Sequence, residues 1–509
     1  MTGMKNTVSV RVIRSLLAPA DRPFRCGVVL TSLLLYAFFL WRAWFDYPNP
    51  YVDEAFFVPP AQAFAQAFTL FSPSLDPHRA LHWMPPGYAV LCGLFMKATG
   101  ISGLWGARLF STVAFGLILW VLAGIGSRFN RLQFVVLYAP FLTLPLLTLS
   151  RIARMEAPFL LLVLLSAWFL LRQRPVAAIA LAVLSGLVHP NGAYVLLAVL
   201  SLAVWQGFEA RPAAARRING ADVAWVALAL VAGAAYVWYE WQSYSSFVAD
   251  MGYQLQRKAR GIAWTAPLTL VSLGAMAAGA WAALRLGAHE KRVLVAIGSS
   301  LIVSRLLGQE LWYSPGYILG FTLIVLAMLP AGGADANPDV RLRRDAFADS
   351  NSASQVRVGM RLLTAAVVAL SGLFVASTLV LGWHGGRIHL KADPLDGNVE
   401  QTDSVLRRLV QLKNESELRE VSCVPHEACL LWLEAATQAG LLVRFDNPLT
   451  HPPVGQECVW VVRANHERTT DADVRLTAGR IQRIDIKPCG SDWPDKDVYE
   501  QYALEVLRR

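Results

Sequence analysis

The sequence predicts an all-α polytopic membrane bundle of about 11 transmembrane helices, followed by a small C-terminal α/β or α+β domain. Three observations lead there. First, the 509 residues are 55% hydrophobic and 16% charged, with a mean hydropathy of +0.42; soluble domains carry about 25% charged residues. Second, near-continuous apolar runs recur, many long enough to cross about 30 Å of hydrocarbon. Third, the formal charge of +10 comes from Lys and Arg gathered in alternate loops. That pattern reflects retention of positive charge on the cytoplasmic side, not nucleic-acid binding.

The elements follow in order. Lys5, Arg11, Arg14, Arg22 and Arg25 precede an apolar stretch from Cys26 to Phe45. It is too long for a signal peptide and no small-residue cleavage site follows, so an uncleaved first span starting in the cytoplasm is expected. The loop after it carries Asp53-Glu54, a Phe- and Ala-rich segment Ala55–Leu70 suited to an interfacial helix, and a short apolar piece, Pro86–Thr99. Further spans are expected near Trp105–Gly126, Leu132–Leu149 and Ala157–Leu171, then up to His189, and at Ala193–Trp205 and Val223–Trp241. The polar stretch 242–264 follows, then spans reaching Arg285 and Arg305, then Pro315–Leu329 and Leu362–Trp383. Residues 1–383 thus form a membrane domain and 384–509 a soluble one. Within the latter, 405–418 and 427–439 have helical spacing, while 458–462 and 480–486 read as strands. Its cysteines, Cys423, Cys429, Cys458 and Cys489, suit disulfides in an oxidising compartment; Cys423–Cys429 with Cys458–Cys489 is the favoured pairing among three.

The alternation sorts the loops. One side collects Arg and Lys; the other collects Asp53, Glu54, His78, His82, Arg154, Glu156, His189 and Tyr313. By parity the C-terminal domain lies on this second side. There is no nucleotide-binding loop, so ATP-driven transport is not expected. His78 and His82 stand four apart, a weak metal signal, and the cysteine spacing fits no zinc motif.

The first loop carries a further pattern. Asp53-Glu54 after span one, then Pro85-Pro86-Gly87-Tyr88, then Gly100-Ile101-Ser102 and Trp105-Gly106-Ala107-Arg108-Leu109 resemble the GT-C membrane glycosyltransferases. Within them the likeness is to the protein mannosyltransferase and aminoarabinose transferase (ArnT-like) branch. It covers roughly the first 200 residues, and the later spans only in layout. The resemblance implies a polyprenyl-phosphate sugar donor and a catalytic first-loop acid, here Asp53 with Glu54 beside it. Relatives usually carry His directly before Pro-Pro, where this chain has Met84, with His82 nearby. A second acidic position, usually Asp, corresponds to Arg154-x-Glu156.

The chemistry asks for the same parts. A carboxylate must take the proton of an incoming hydroxyl or amine. Cations must meet the charge growing on the leaving phosphate. An apolar groove must bring the lipid to that point. Asp53, Glu54 and Glu156 are the catalytic candidates. Arg151, Arg154, Arg257, Lys258, Arg260 and Arg305, all expected on one side, are the phosphate-binding candidates. His82, Pro85, Pro86, Tyr88 and Tyr313 are candidates for the substrate and lipid groove. Glu54 reads equally well as a helix cap, and Arg154 with Glu156 as a self-satisfying pair. His189-Pro190-Asn191-Gly192 reads as a helix-ending turn.

The expected function is inverting transfer of a monosaccharide from a polyprenyl-phosphate donor to a glycolipid, glycan or protein acceptor. The expected place is the periplasmic face of a bacterial inner membrane, with the N-terminus cytoplasmic. No cofactor is expected; a divalent metal is compatible with the chemistry, but no residue cluster calls for one. The alternative is a transporter or flippase of a lipid-linked sugar.

Overall fold

The computed structural model describes residues 18–42, 54–76, 78–82, 84–142, 144–209, 220–258, 267–286, 289–307, 315–329, 396–415, 420–423, 430, 433–445, 459–463, 479–486 and 502–508. Through residue 329 the described elements are helices: α1 (Arg22–Arg42), α2 (Glu54–Ala67), α3 (Gly87–Thr99), α4 (Gly103–Gly126), α5 (Arg131–Tyr138), α6 (Leu144–Leu149), α7 (Glu156–Leu171), α8 (Pro175–Val188), α9 (Gly192–Glu209), α10 (Gly220–Gln242), α11 (Tyr244–Lys258), α12 (Pro267–Leu286), α13 (His289–Leu307) and α14 (Pro315–Met328).

Burial follows composition. The α7 sequence is apolar all round, and most of it is buried between α4, α8 and α13. By contrast α1, α10 and α12 leave Leu30, Leu34, Phe38, Leu230, Val231, Trp238 and Leu284 exposed. Contiguous apolar faces of this size belong against lipid, and the chain is a helical membrane protein. Among the described residues, α4 and α10 are long and apolar enough to cross a bilayer by length and composition, and several other apolar helices have only 10–17 residues.

The expected span 132–149 is broken. A capping box starts α5: the Gln133 amide donates to Asn130 Oδ1 (2.8 Å), and the Asn130 amide donates to Gln133 Oε1 (3.1 Å). The helix then tightens into a 3₁₀ turn, Ala139–Leu142, before α6. Pro140 and Pro145 explain the break, since each removes a donor and its ring crowds the carbonyl four residues back. In α2, Pro59 and Pro60 lie inside the helix near its first turn. Glycines allow the closest helix approach: a Cβ at Gly298 of α13 would meet Gly320 O of α14 at 2.7 Å, and the reverse also holds at 2.7 Å.

Polar contacts link helix ends in two separate groups. At one end Arg131 pairs with Asp21 (2.9 Å), Arg128 with Glu290 (3.0 Å), and Lys291 donates to Leu329 O (3.0 Å). The other end holds the contacts of the candidate site. Each group joins only ends that an alternating, up-and-down path brings to the same face.

Beyond residue 395 the described elements are α15 (Asp396–Glu415), β1 (Glu420–Cys423), α16 (Leu433–Gln438), β2 (Leu442–Arg444), β3 (Val459–Arg463), β4 (Gly479–Ile486) and β5 (Tyr502–Arg508). The strands form one mixed sheet in the order β2-β1-β3-β5-β4. β1 pairs in parallel with β2 and β3, placing Val421 beside Val443 and Val459; β5 is antiparallel to β3 and β4. Leu409, Leu412, Val421, Leu433, Ala436 and Val443 are buried. The Phe445 amide donates to Ser74 O (2.8 Å), and Ser102 Oγ hydrogen-bonds Glu434, so this unit docks on the first loop and the α3–α4 turn. The expected span 362–383 lies outside the described residues. So do Cys429, Cys458 and Cys489, and with them the expected disulfides.

Candidate active site

Asp53 lies outside the described residues, but the next residue shows what holds this part of the chain. Glu54 is the first residue of α2, where the helix dipole favours an acid. It is fully buried. The Arg108 guanidinium of α4 meets it side-on, Nη2 to Oε2 at 2.7 Å and Nε to Oε1 at 3.0 Å. The Ala153 amide also donates to Oε1 (2.7 Å). Both charges are out of solvent, so only this paired fork makes the burial tolerable. The pair fastens the start of α2 to α4 and to the turn 150–155 between α6 and α7.

That turn carries the cations. Arg151 is buried, near the Tyr36 hydroxyl. Arg154 Nη2 pairs with Glu156 Oε1 at 2.8 Å. Glu156 begins α7 and is nearly buried, and its Oε2 has no hydrogen-bond partner among the described residues. Arg305, in the last turn of α13, feels the charges of both Glu156 and Arg154. Its guanidinium lies over Gly316 at the start of α14, where an added Cβ would sit 3.0 Å from Nε. Glu54, Arg108, Arg151, Arg154, Glu156 and Arg305 thus gather at one end of the bundle, with cations in excess.

A second polar group joins the first loop to the α10–α11 corner. Asp76 Oδ1 accepts from the His78 amide (2.8 Å) and the Arg79 amide (3.2 Å), closing a tight turn. Arg79 then grips Asp250 of α11, Nη1 to Oδ2 and Nη2 to Oδ1, both 2.7 Å. Asp250 Oδ2 also accepts from the His82 amide (2.8 Å). The His82 ring is buried, with Nδ1 2.8 Å from Glu240 Oε2 of α10, and it lies over Tyr239 with centroids 4.9 Å apart. Burial pushes the Asp250 carboxyl up, but the hydrogen bonds from Arg79 and the His82 amide outweigh it and hold it below the usual carboxylate range. The hydrogen bond to Asp250 raises Arg79 further above its ordinary value.

Solved structures share this architecture. ArnT from Cupriavidus metallidurans in the apo state is similar with a TM-score of 0.50 at 13% identity, over 95% of this chain and 98% of that one. ArnT bound to undecaprenyl phosphate gives a TM-score of 0.51 at 13% identity, over 94% and 97%. The chain has the GT-C fold. Arabinofuranosyltransferase AftD from Mycobacteria is similar at a TM-score of 0.43 and 17% identity, over 96% of this chain and 41% of that one. No protein-family profile and no curated protein matches.

Within this GT-C bundle the expected site residues divide. Glu54, Arg151, Arg154, Glu156 and Arg305 come together. Arg257 and Lys258 end α11, while Arg260 and Tyr313 lie outside the described residues. Pro86 directly precedes α3, and Gly87 fits against α8 so closely that a Cβ would meet Leu187 O at 2.4 Å. Tyr88 is fully buried between Phe57 and Phe110 (centroids 5.5 and 5.9 Å). His189 caps the end of α8 and its Nδ1 accepts from the Asn191 amide (3.0 Å), a turn as the sequence suggests. A large apolar groove of about 470 Å³ between α9, α12 and α13 reaches Val303. Val303 stands about 200° around the helix from Arg305, so the groove opens on the other face of α13. Among the described residues no group of three or more His, Cys, Asp or Glu is placed to hold a metal ion.

Sequence reasoning missed Arg108, Arg79, Glu240 and Asp250. A signal existed for two of them: Arg108 and Glu240 are ionisable residues inside otherwise apolar helices, which marks a partner or a site.

Proposed function

We propose that this chain is an inverting glycosyltransferase that moves a monosaccharide from a polyprenyl-phosphate donor to an acceptor at the periplasmic face of a bacterial inner membrane. The observation that carries the reading is the cation-rich cluster around Glu156 at one end of a GT-C bundle, on a turn whose Ala153 amide is bonded to Glu54, the residue that follows Asp53. The neighbouring ArnT structure holding undecaprenyl phosphate supports the donor class.

In this reading Asp53 is the base. It takes the proton from the acceptor's hydroxyl or amine as that atom bonds to the sugar's anomeric carbon. The bond from that carbon to the phosphate oxygen breaks, its electron pair stays on the phosphate, and polyprenyl phosphate leaves. Arg154 and Arg305, with Arg151, meet the growing charge. The Glu156 oxygen left without a partner is available to a sugar hydroxyl or to an amine of the acceptor. Glu54 has its oxygens committed to Arg108 and Ala153, so it acts by position: it sets where the neighbouring Asp53 emerges. Arg257 and Lys258, the last residues of α11, and Arg260, outside the described residues, are the further phosphate partners that the sequence offers. Tyr88 and Gly87 hold the Pro-Pro turn in place by packing.

The test is Asp53→Asn in purified protein supplied with an undecaprenyl-phosphate sugar. Transfer is expected to fall by about 10²–10⁴-fold while undecaprenyl phosphate still binds. Near-normal turnover would reject Asp53 as the base.

A further inference from the structure

At the end of the bundle away from the candidate site, α1 and α4 leave an open groove of about 370 Å³ between them. Most of it is apolar, with Val29, Leu30 and Leu33 of α1 facing Ala123 of α4. One end is not: Arg22 and Arg25, three residues apart and so on one face of α1, line it, and no acid does. Neither guanidinium has an acidic partner among the described residues, and the buried Arg25 Nε has no hydrogen-bond partner there. The nearest acid in sequence, Asp21, is committed elsewhere: it pairs with Arg131 (2.9 Å) and accepts from the Phe24 amide (3.1 Å). Residues 1–17 offer no counter-charge, since they include Lys5, Arg11 and Arg14 and neither Asp nor Glu.

A second groove, of about 430 Å³, runs along the opposite face of α1 against α5, and no charged residue lines it. Two grooves of similar size thus flank one helix, and only one has cations at its end. From Arg25 to Leu33 is about 12 Å of helix rise, close to half of the roughly 30 Å of hydrocarbon in a bilayer. That is the depth of one acyl chain in one leaflet. We propose that the Arg22–Arg25 groove binds an anionic phospholipid: its phosphate meets the two guanidiniums, and an acyl chain lies along Val29, Leu30 and Leu33. The leaflet is the one at this end of the bundle, expected on the cytoplasmic side from the Lys and Arg of its loops. Guanidinium forks suit phosphate oxygens. A zwitterionic lipid brings its own cation to the same place and is disfavoured.

The experiment titrates delipidated protein in detergent with dioleoyl-phosphatidylglycerol or dioleoyl-phosphatidylcholine and counts bound lipid by native mass spectrometry. Phosphatidylglycerol is expected to bind about tenfold more tightly or better. Arg22→Gln and Arg25→Gln are each expected to weaken it about fivefold, with little change for phosphatidylcholine. Ala123→Trp, which fills the charged groove, is expected to remove the preference, whereas Val135→Trp, in the uncharged groove, is expected to keep it. None of these four positions is fully buried, and melting temperatures identify the folded variants. Equal binding of the two lipids, or an unaltered preference in folded Arg22→Gln/Arg25→Gln, would overturn the inference. So would a preference that Val135→Trp removes and Ala123→Trp leaves. Cys26 is exposed and lines the same groove. Its resistance to a maleimide in lipid-free protein, read by peptide mass, would mean that protein fills the groove instead of lipid, and would equally overturn it.

Discussion

Asp53 and Glu54 stand side by side in the chain yet have different work. Glu54 belongs to a fully buried pair, and removing one member of such a pair strands the other. Glu54→Gln is expected to lower stability by about 3–5 kcal/mol, seen as a fall in melting temperature, because Arg108 is left without its counter-charge. Asp53→Asn should leave the melting temperature close to normal while turnover collapses. The adjacent acids were legible in the sequence; their division of labour was not, since Arg108 and Ala153 lie 54 and 99 residues from Glu54. The Arg79–Asp250 pair predicts a pH effect of definite sign. Asp250 is held below its ordinary range, so its contribution is present at pH values above that range and is lost as pH falls through the folded value. Arg79 is raised, so its contribution is full at lower pH and is lost only in extreme alkali. Stability should therefore fall on acidification below the usual carboxylate range, and that acid loss should be smaller in Asp250→Asn. Melting temperatures measured across the acid range check this.

Helices were the most legible elements, because apolar runs and their flanking charges announce them. The span expected at Trp105–Gly126 is α4, Gly103–Gly126, and that expected at Ala157–Leu171 is α7, Glu156–Leu171. The break between α5 and α6 could have been read from Pro140 and Pro145. The helix α11 was harder, since it lies in a polar stretch between two apolar ones and its few apolar residues, Tyr244, Phe247, Val248 and Met251, show only as a helical spacing. The closest packing of α13 on α14 rests on backbone approach, to which hydropathy is blind. Gly320→Val is expected to push the two helices apart at Gly298 and lower the melting temperature by a clear margin. A variant that melts at the same temperature as the unaltered protein would contradict the close crossing.

The molecule as a whole is a bundle with two chemically distinct ends, and a mixed sheet docked at the end that carries the cations. The docking contacts, Phe445 to Ser74 and Glu434 to Ser102, were invisible in sequence because each joins a loop to a partner hundreds of residues away. The strands themselves were legible: 458–462 and 480–486 correspond to β3 and β4. The Arg79–Asp250 pair and the cation cluster both lie at this end, so one compartment should receive donor head, acceptor and sheet alike. The most direct measurement supplies the purified protein, reconstituted in liposomes, with an undecaprenyl-phosphate carrying a labelled sugar and with candidate acceptors. Equal amounts of glycosylated acceptor and free undecaprenyl phosphate are expected, with neither formed by Asp53→Asn. Passage of the intact lipid-linked sugar across the bilayer, with its anomeric bond unbroken, would contradict the account.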